Sequence, residues 1–247
     1  MAVAFDAASS SSPSGVSNSF SWAHTCSGSN RILVVSVFHE KTPDPAYSTT
    51  VTYDGVAMTR HGAIDVGGGG GSVDRIEAFY LVAPAAGSKT VAVTISASVD
   101  RGYFAGLAVS INGAAQAAPT DVQSAQNAAT DHITDSVTIA RADSLVVTTA
   151  GHGLDTSVTM VPDHGVERLD VGTNQAGGGR ASMGTQVEAG VGSASVGWSS
   201  DTSQRMNIYA LVFPPPPPPP PPRNKNTTGR LPGPQRPPPP FRVHTLQ

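Results

Sequence analysis

Met206-Asn207-Ile208-Tyr209-Ala210-Leu211-Val212-Phe213 runs straight into nine consecutive prolines, Pro214 to Pro222. The first eight residues alternate large apolar side chains as a strand does. The proline run can be neither strand nor helix, because proline has no N–H to donate and its φ is fixed. A folded body therefore ends at Phe213, and residues 214–247 form an arm. Nine prolines in the polyproline II form, at about 3.1 Å each, make a stiff spacer of roughly 28 Å. Beyond it lie Arg223, Lys225, Arg230 and Arg236, a second run from Pro237 to Pro240, and Phe241-Arg242.

Working back from that junction, short alternating runs recur with turn signals between them, and no window of helical length keeps a 3.6-residue period. Strands are predicted at 3–5, 19–24, 31–39, 49–53, 56–60, 75–82, 90–97, 103–111, 136–139, 144–150, 166–171, 182–188, 193–198 and 206–213. In Thr90-Val91-Ala92-Val93-Thr94-Ile95-Ser96-Ala97 one face is apolar and the other hydroxylic, which makes one side core and the other solvent. Ile32-Leu33-Val34-Val35-Ser36-Val37-Phe38 is apolar on both faces, so this strand is central or is covered outside by another subunit. Asp54-Gly55 supplies the positive φ angles of a two-residue type I′ hairpin, and Pro84-Ala85-Ala86-Gly87 is a second connection. Gly67 to Gly71, Asn112 to about Asp135, and Gly172 to Gly179 show no period and read as loops, with one short helix allowed around Val122 to Gln126. The fold class expected is all-β: an antiparallel, jelly-roll-like β-sandwich over residues 1–213, followed by an extended proline-rich arm over 214–247.

Only 13% of residues are charged, so small neutral and hydroxyl side chains fill the surface, as suits faces that pack on neighbours. The net charge of −3 conceals an asymmetry: five of the fifteen basic residues lie in the arm without any acid, leaving ten against eighteen acids in the body, or −8. A basic arm on an acidic body points to an acidic docking partner. The arm residues assigned to partner binding are Pro214, Pro218, Pro222, Arg223, Lys225, Arg230, Arg236, Phe241 and Arg242. With Phe241 as the arm's one aromatic, nucleic acid is not the expected partner. Cys26 is the only cysteine, which excludes an internal disulfide and reads as a buried or idle thiol. No signal sequence or membrane-spanning run is read, so synthesis in a cytoplasm is expected.

Catalytic signatures are sparse. The run Gly67 to Gly71 lacks the Lys-Ser or Lys-Thr of a phosphate cradle, and no Gly-x-Ser-x-Gly elbow occurs. His132, His152 and His164 are placed in loops beside Asp131, Asp155 and Asp163, without metal-ligand spacing. Glu40, Glu77, Glu167 and Glu188 read as solvent-face residues, and Trp22, Tyr53, Tyr103 and Trp198 as core. No catalytic residue, metal or cofactor is assigned.

The order of motifs resembles a β-sandwich domain of tailed-bacteriophage structural proteins. It is carried by Ser21-Trp22-Ala23-His24, Asn30-Arg31-Ile32-Leu33-Val34-Val35, Val51-Thr52-Tyr53-Asp54-Gly55-Val56-Ala57-Met58-Thr59, Phe79-Tyr80-Leu81-Val82-Ala83-Pro84-Ala85-Ala86-Gly87, Thr90-Val91-Ala92-Val93-Thr94 and Tyr209-Ala210-Leu211-Val212. The resemblance implies a non-enzymatic virion surface component, a head decoration or tail-fibre type, made in the host cytoplasm. Its partners would be capsid or tail subunits and further copies of itself, a trimer being the state that phage precedent suggests. The proline arm departs from the resemblance. Two other readings stay open: an adhesin that binds host-surface glycan through the loops Asn112–Asp135 and Gly172–Gly179, and a glycoside hydrolase with carboxylates assembled in space.

Overall fold

The computed structural model describes residues 2–12, 18–41, 48–67, 73–96, 103–153, 158–173 and 178–221. Among them are fifteen strands and no helix: β1 (Ala4–Ser11), β2 (Ser19–Cys26), β3 (Ile32–Lys41), β4 (Thr49–Tyr53), β5 (Val56–Ala57), β6 (Thr59–Gly67), β7 (Val73–Val82), β8 (Gly87–Ile95), β9 (Tyr103–Asn112), β10 (Val122–Ile139), β11 (Ser144–His152), β12 (Met160–Pro162), β13 (Val166–Gly172), β14 (Arg180–Glu188) and β15 (Gly192–Phe213). Every pairing is antiparallel. The first sheet has the order β1-β9-β3-β7-β6, the second β2-β8-β4-β5, and the third β10-β15-β11-β14-β13, with β12 pairing to β15.

The first sheet is the middle layer. Leu33, Val35 and Val37 of β3 pack with Val51, Tyr53, Val91, Val93 and Ile95 of the second sheet. From the other face of the same strand, Ile32, Val34 and Phe38 pack with Leu145, Val147, Met183 and Leu211 of the third. Strand β3 is apolar on both faces because it is central in a sheet covered on both sides. The outer cover comes from the chain's own second half, so this strand gives no reason to invoke another subunit. Asp54 (φ 52°) and Gly55 (φ 78°) make the expected turn, with Tyr53 opposite Val56.

The two halves of the body repeat one strand plan. In the first and third sheets β1, β9, β3, β7 and β6 correspond in order to β10, β15, β11, β14 and β13. Asn30 and Asp143, each just before the central strand, both take a positive φ (51° and 61°); Gly55 and Gly165 do so at matching turns, and Gly87 and Gly192 at the next hairpin. The β6–β7 register breaks between Arg60 and Gly62, and the β13–β14 register breaks at the corresponding place, between Glu167 and Leu169. Arg75 and its counterpart Arg180 each make a bidentate ion pair, Arg75 with the directly opposite Asp65 and Arg180 with Asp170, which lies two residues from its own opposite position, Gly172.

The halves meet through their matching sheets. Strand β1 lies on β13 and its counterpart β10 on β6; β9 lies on β14 and its counterpart β15 on β7. At the centre the counterparts Ser36 and Thr149 touch each other, hydroxyl to hydroxyl at 2.6 Å, both buried. The two bulged residues also reach across: His61 Nδ1 lies 3.0 Å from the Tyr209 hydroxyl, and the Arg168 guanidinium stands 3.8 Å over the Phe5 ring. A pseudo-two-fold arrangement accounts for all of these pairings.

Several expectations need correction. Residues from Val122 to Asp135, read as loop with an allowed helix, belong to the 18-residue strand β10. The runs at 193–198 and 206–213 are one strand, β15, 22 residues long. Both long strands serve two layers: the far halves of β10 and β15 fold back over the outer face of the third sheet, placing Ile133, Val137, Val196 and Trp198 on Val146, Ala150, Ile208 and Val212. The run at 56–60 divides at Met58 between two sheets, and β12 was not anticipated. Residues 68–71 and 174–177 of the two glycine-bearing loops lie outside the described residues.

Candidate functional site

The polar constellation with space beside it lies at the open end of the layer between the first and second sheets. Glu77 sits in the middle of β7, opposite Val37 of β3 and Ala63 of β6, and points to the same side as core residue Phe79. Strand alternation therefore carries its carboxylate inward, where it is 1% exposed. This corrects the solvent-face reading. Three elements supply donors. Oε1 accepts from Thr49 Oγ1 at 2.5 Å and from His39 Nε2 at 3.2 Å, and Oε2 accepts from Arg60 Nε at 2.6 Å. Burial alone would raise the carboxyl pKa, but the hydrogen bonds from His39, Thr49 and Arg60 overcome it and bring it down to about 2. Beside these groups is a cleft of about 240 Å3 lined by Ser48, Thr49, Arg60 and Glu77.

This geometry suits binding better than proton transfer. A carboxyl group ionised down to about pH 2 has no proton to give near neutrality, and Glu77 is the one carboxylate among the described residues that line the cleft. The repeat supplies a control. In the second half Ser182 stands where Glu77 does and Glu167 where Arg60 does, while His152 matches His39. Ser182 instead donates to Asp170 at 2.8 Å. The strand plan forms without a buried carboxylate at this place, so packing alone does not account for Glu77.

The histidines sort differently from expectation. His132 and His152 lie in strands β10 and β11, not in loops. His132 Nε2 pairs with Asp163 at 2.7 Å near the surface, and Ser199 donates to the same carboxylate at 2.8 Å. His152 is buried, with Nε2 3.0 Å from the Thr202 carbonyl. His24 is buried between β1 and β2, its Nδ1 2.7 Å from Ser9 Oγ, which also accepts from Trp22 Nε1 at 3.0 Å. Burial brings the His24 pKa down to about 4, against a smaller upward pull from Asp6. Among the described residues no three side chains of metal-ligating type converge. Cys26 is buried, and burial raises its thiol pKa.

The arm residues divide at the edge of the described region. Pro214 is buried, and its carbonyl accepts from the Ala115 amide at 2.8 Å; Pro215 O accepts from Arg141 Nη1 at 3.1 Å. Residues 216–221, Pro218 included, are exposed and form no strand or helix. Pro222, Arg223, Lys225, Arg230, Arg236, Phe241 and Arg242 lie outside the described residues. One compact unit runs from Met1 to Pro217 and a second from Pro218 to Gln247. Sequence reasoning missed the Glu77 cluster because Arg75-Ile76-Glu77-Ala78-Phe79 reads as an ordinary alternating strand. The usable signal was a lone acid in phase with the apolar residues Phe79 and Leu81.

No protein-family model, curated protein or solved structure matches this chain.

Proposed function

We propose that this chain is a non-enzymatic structural component of a tailed-phage virion, a displayed body attached to capsid or tail subunits through its proline-rich basic arm. The observation that carries this reading is the root of the arm. Strand β15 lies inside its sheet between β10 and β11, ends on the buried pair Phe213-Pro214, and is tied beyond that by the bonds to Pro214 and Pro215. A stiff spacer that starts from an inner strand transmits position and tension to the whole body, as a tether requires. A flexible tail fraying from an edge would not.

The strand orders support a jelly-roll reading of each half. β1-β9-β3-β7 facing β2-β8-β4-β5 is the order produced by winding eight strands as two Greek keys, an architecture found in viral capsid and lectin domains. Fold alone does not give function, so the weight rests on the arm. The test is incorporation: particles are assembled with the full chain or with a chain ending at Pro217, which keeps the clamped prolines. The reading expects the shortened protein to be folded and soluble but missing from particles. Incorporation at the level of the full chain would refute it.

A further inference from the structure

We propose that the cleft between Ser48, Thr49, Arg60 and Glu77 is a binding site for one ring of a neutral saccharide, recognised through adjacent hydroxyl groups. The inference is independent of how the arm is used.

An ionised carboxylate offers about four lone-pair sites. Thr49 and His39 occupy two on Oε1 and Arg60 Nε one on Oε2, which leaves a single acceptor on Oε2. A guanidinium has five N–H donors in a fixed plane. Arg60 gives its Nε–H to Glu77 and, with its side chain 47% exposed, lines the cleft. Ser48 adds an exposed hydroxyl that can donate or accept. An acceptor and planar donors held side by side match a vicinal diol: one hydroxyl donates to Glu77 Oε2 and the neighbouring oxygen accepts from Arg60.

Charge narrows the class further. Among the described residues that line the cleft, Glu77 and Arg60 balance each other's charge, which favours a neutral ligand over an anion or an amine. At about 240 Å3 the cleft falls below the roughly 300–1,000 Å3 of sites for drug-sized ligands, which limits it to one ring. Rigidity favours binding as well. Thr49 and His39 fix the carboxylate from behind, so little freedom is lost when a ligand arrives. The second half has Ser182 and Glu167 at the matching places and lacks the paired acceptor and donor, so one site per chain is expected.

The experiment uses the full chain with methyl α-mannoside, methyl β-galactoside, methyl β-glucoside and methyl α-rhamnoside, each to about 20 mM, a ceiling suited to millimolar affinity, and sialyllactose as the anionic control. Binding is read by saturation-transfer NMR. The proposal expects one or more of the neutral glycosides to bind with one site per chain. Arg60→Lys, which keeps a cation on Glu77 but removes the planar fork, should weaken that binding at least about tenfold with the thermal midpoint nearly unchanged. Ser48→Ala should weaken it less. Silence with all four neutral glycosides, binding to sialyllactose alone, or equal affinity in Arg60→Lys would each overturn the assignment.

Discussion

Replacing Ser36 by Ala should weaken the body by removing one partner of the hydroxyl pair on its pseudo-two-fold axis. Ser36 is 1% exposed and Thr149 2% exposed, and their oxygens are 2.6 Å apart between two facing sheets. Removing one partner strands the other in an apolar layer, and an unsatisfied buried hydroxyl costs about 1–3 kcal/mol. Thr149→Val, a swap of nearly equal shape, should cost a similar amount. Together the two changes leave an apolar contact with nothing unsatisfied, so the double variant should lie within about 1 kcal/mol of the parent. The coupling, the sum of the two single losses less that of the double variant, then amounts to about 1–6 kcal/mol between residues 113 positions apart. For a body of this size each kcal/mol is about 2–4 °C in the melting midpoint. Urea unfolding suits the measurement, because Trp22 reports on the first half and the fully buried Trp198 on the second. Additive losses, or single variants indistinguishable from the parent, would refute the claim that the two halves meet through matching central strands.

Three further outcomes follow from individual contacts. His24 is held neutral in the folded body with a pKa of about 4 against 6.5, so as pH falls the unfolded chain takes up a proton first. Stability should drop by about 3 kcal/mol between pH 6.5 and 4; His24→Val, the residue its counterpart Val137 already is, should flatten that window in thermal melts. The window below pH 4.5, in which Glu77 loses its depressed-pKa contribution as pH falls toward 2, should survive in the same variant. Arg205 donates to the fully buried Asp74 of the other half at 2.8 Å, so Arg205→Met should cost about 3–5 kcal/mol in urea unfolding by leaving a buried carboxylate unpaired. A Cβ on Gly106 would come within 2.6 Å of the Trp22 ring, whereas one on Gly190 would meet nothing within 4 Å. Gly106→Ala should therefore lose about 1–3 kcal/mol and Gly190→Ala well under 1.

Much of the strand inventory was legible because β-structure announces itself by alternation and turn chemistry. Thr49–Tyr53 was placed to the residue, Asp54-Gly55 gave its turn, and the doubly apolar run at Ile32–Phe38 identified the central strand. The long strands were not legible. In β10 the stretch Gln123-Ser124-Ala125-Gln126-Asn127-Ala128-Ala129-Thr130 has neither β-branched residues in phase nor a clear apolar face, and its pairing to β15 supplies what local preference lacks. In β15 the polar stretch Ser199 to Gln204 reads as a turn, yet it is where the strand passes from one layer to the other. The repeat was hidden for another reason. Counterparts draw closer along the chain, from Ser36 and Thr149 to Arg75 and Arg180 and then to Val109 and Leu211, as connections shorten in the second half. What persists is conformation more than identity: Asn30 matches Asp143, and Cys26 matches Ile139. The site was least legible, since convergence of His39, Thr49, Arg60 and Glu77 from four strands leaves no spacing in one of them.

The usefulness of a stiff spacer depends on the body behind it acting as one piece, and the shared layer around Ser36 and Thr149 is what joins its halves. Native-state hydrogen exchange on the full chain tests this without altering a residue, by comparing amides of β3 from Leu33 to Val37 with those of β11 from Val146 to Ala150. If the body opens as one piece, both sets exchange only through one global opening, with the same free energy and the same denaturant dependence. Two separate plateaus, one for each half, would contradict it.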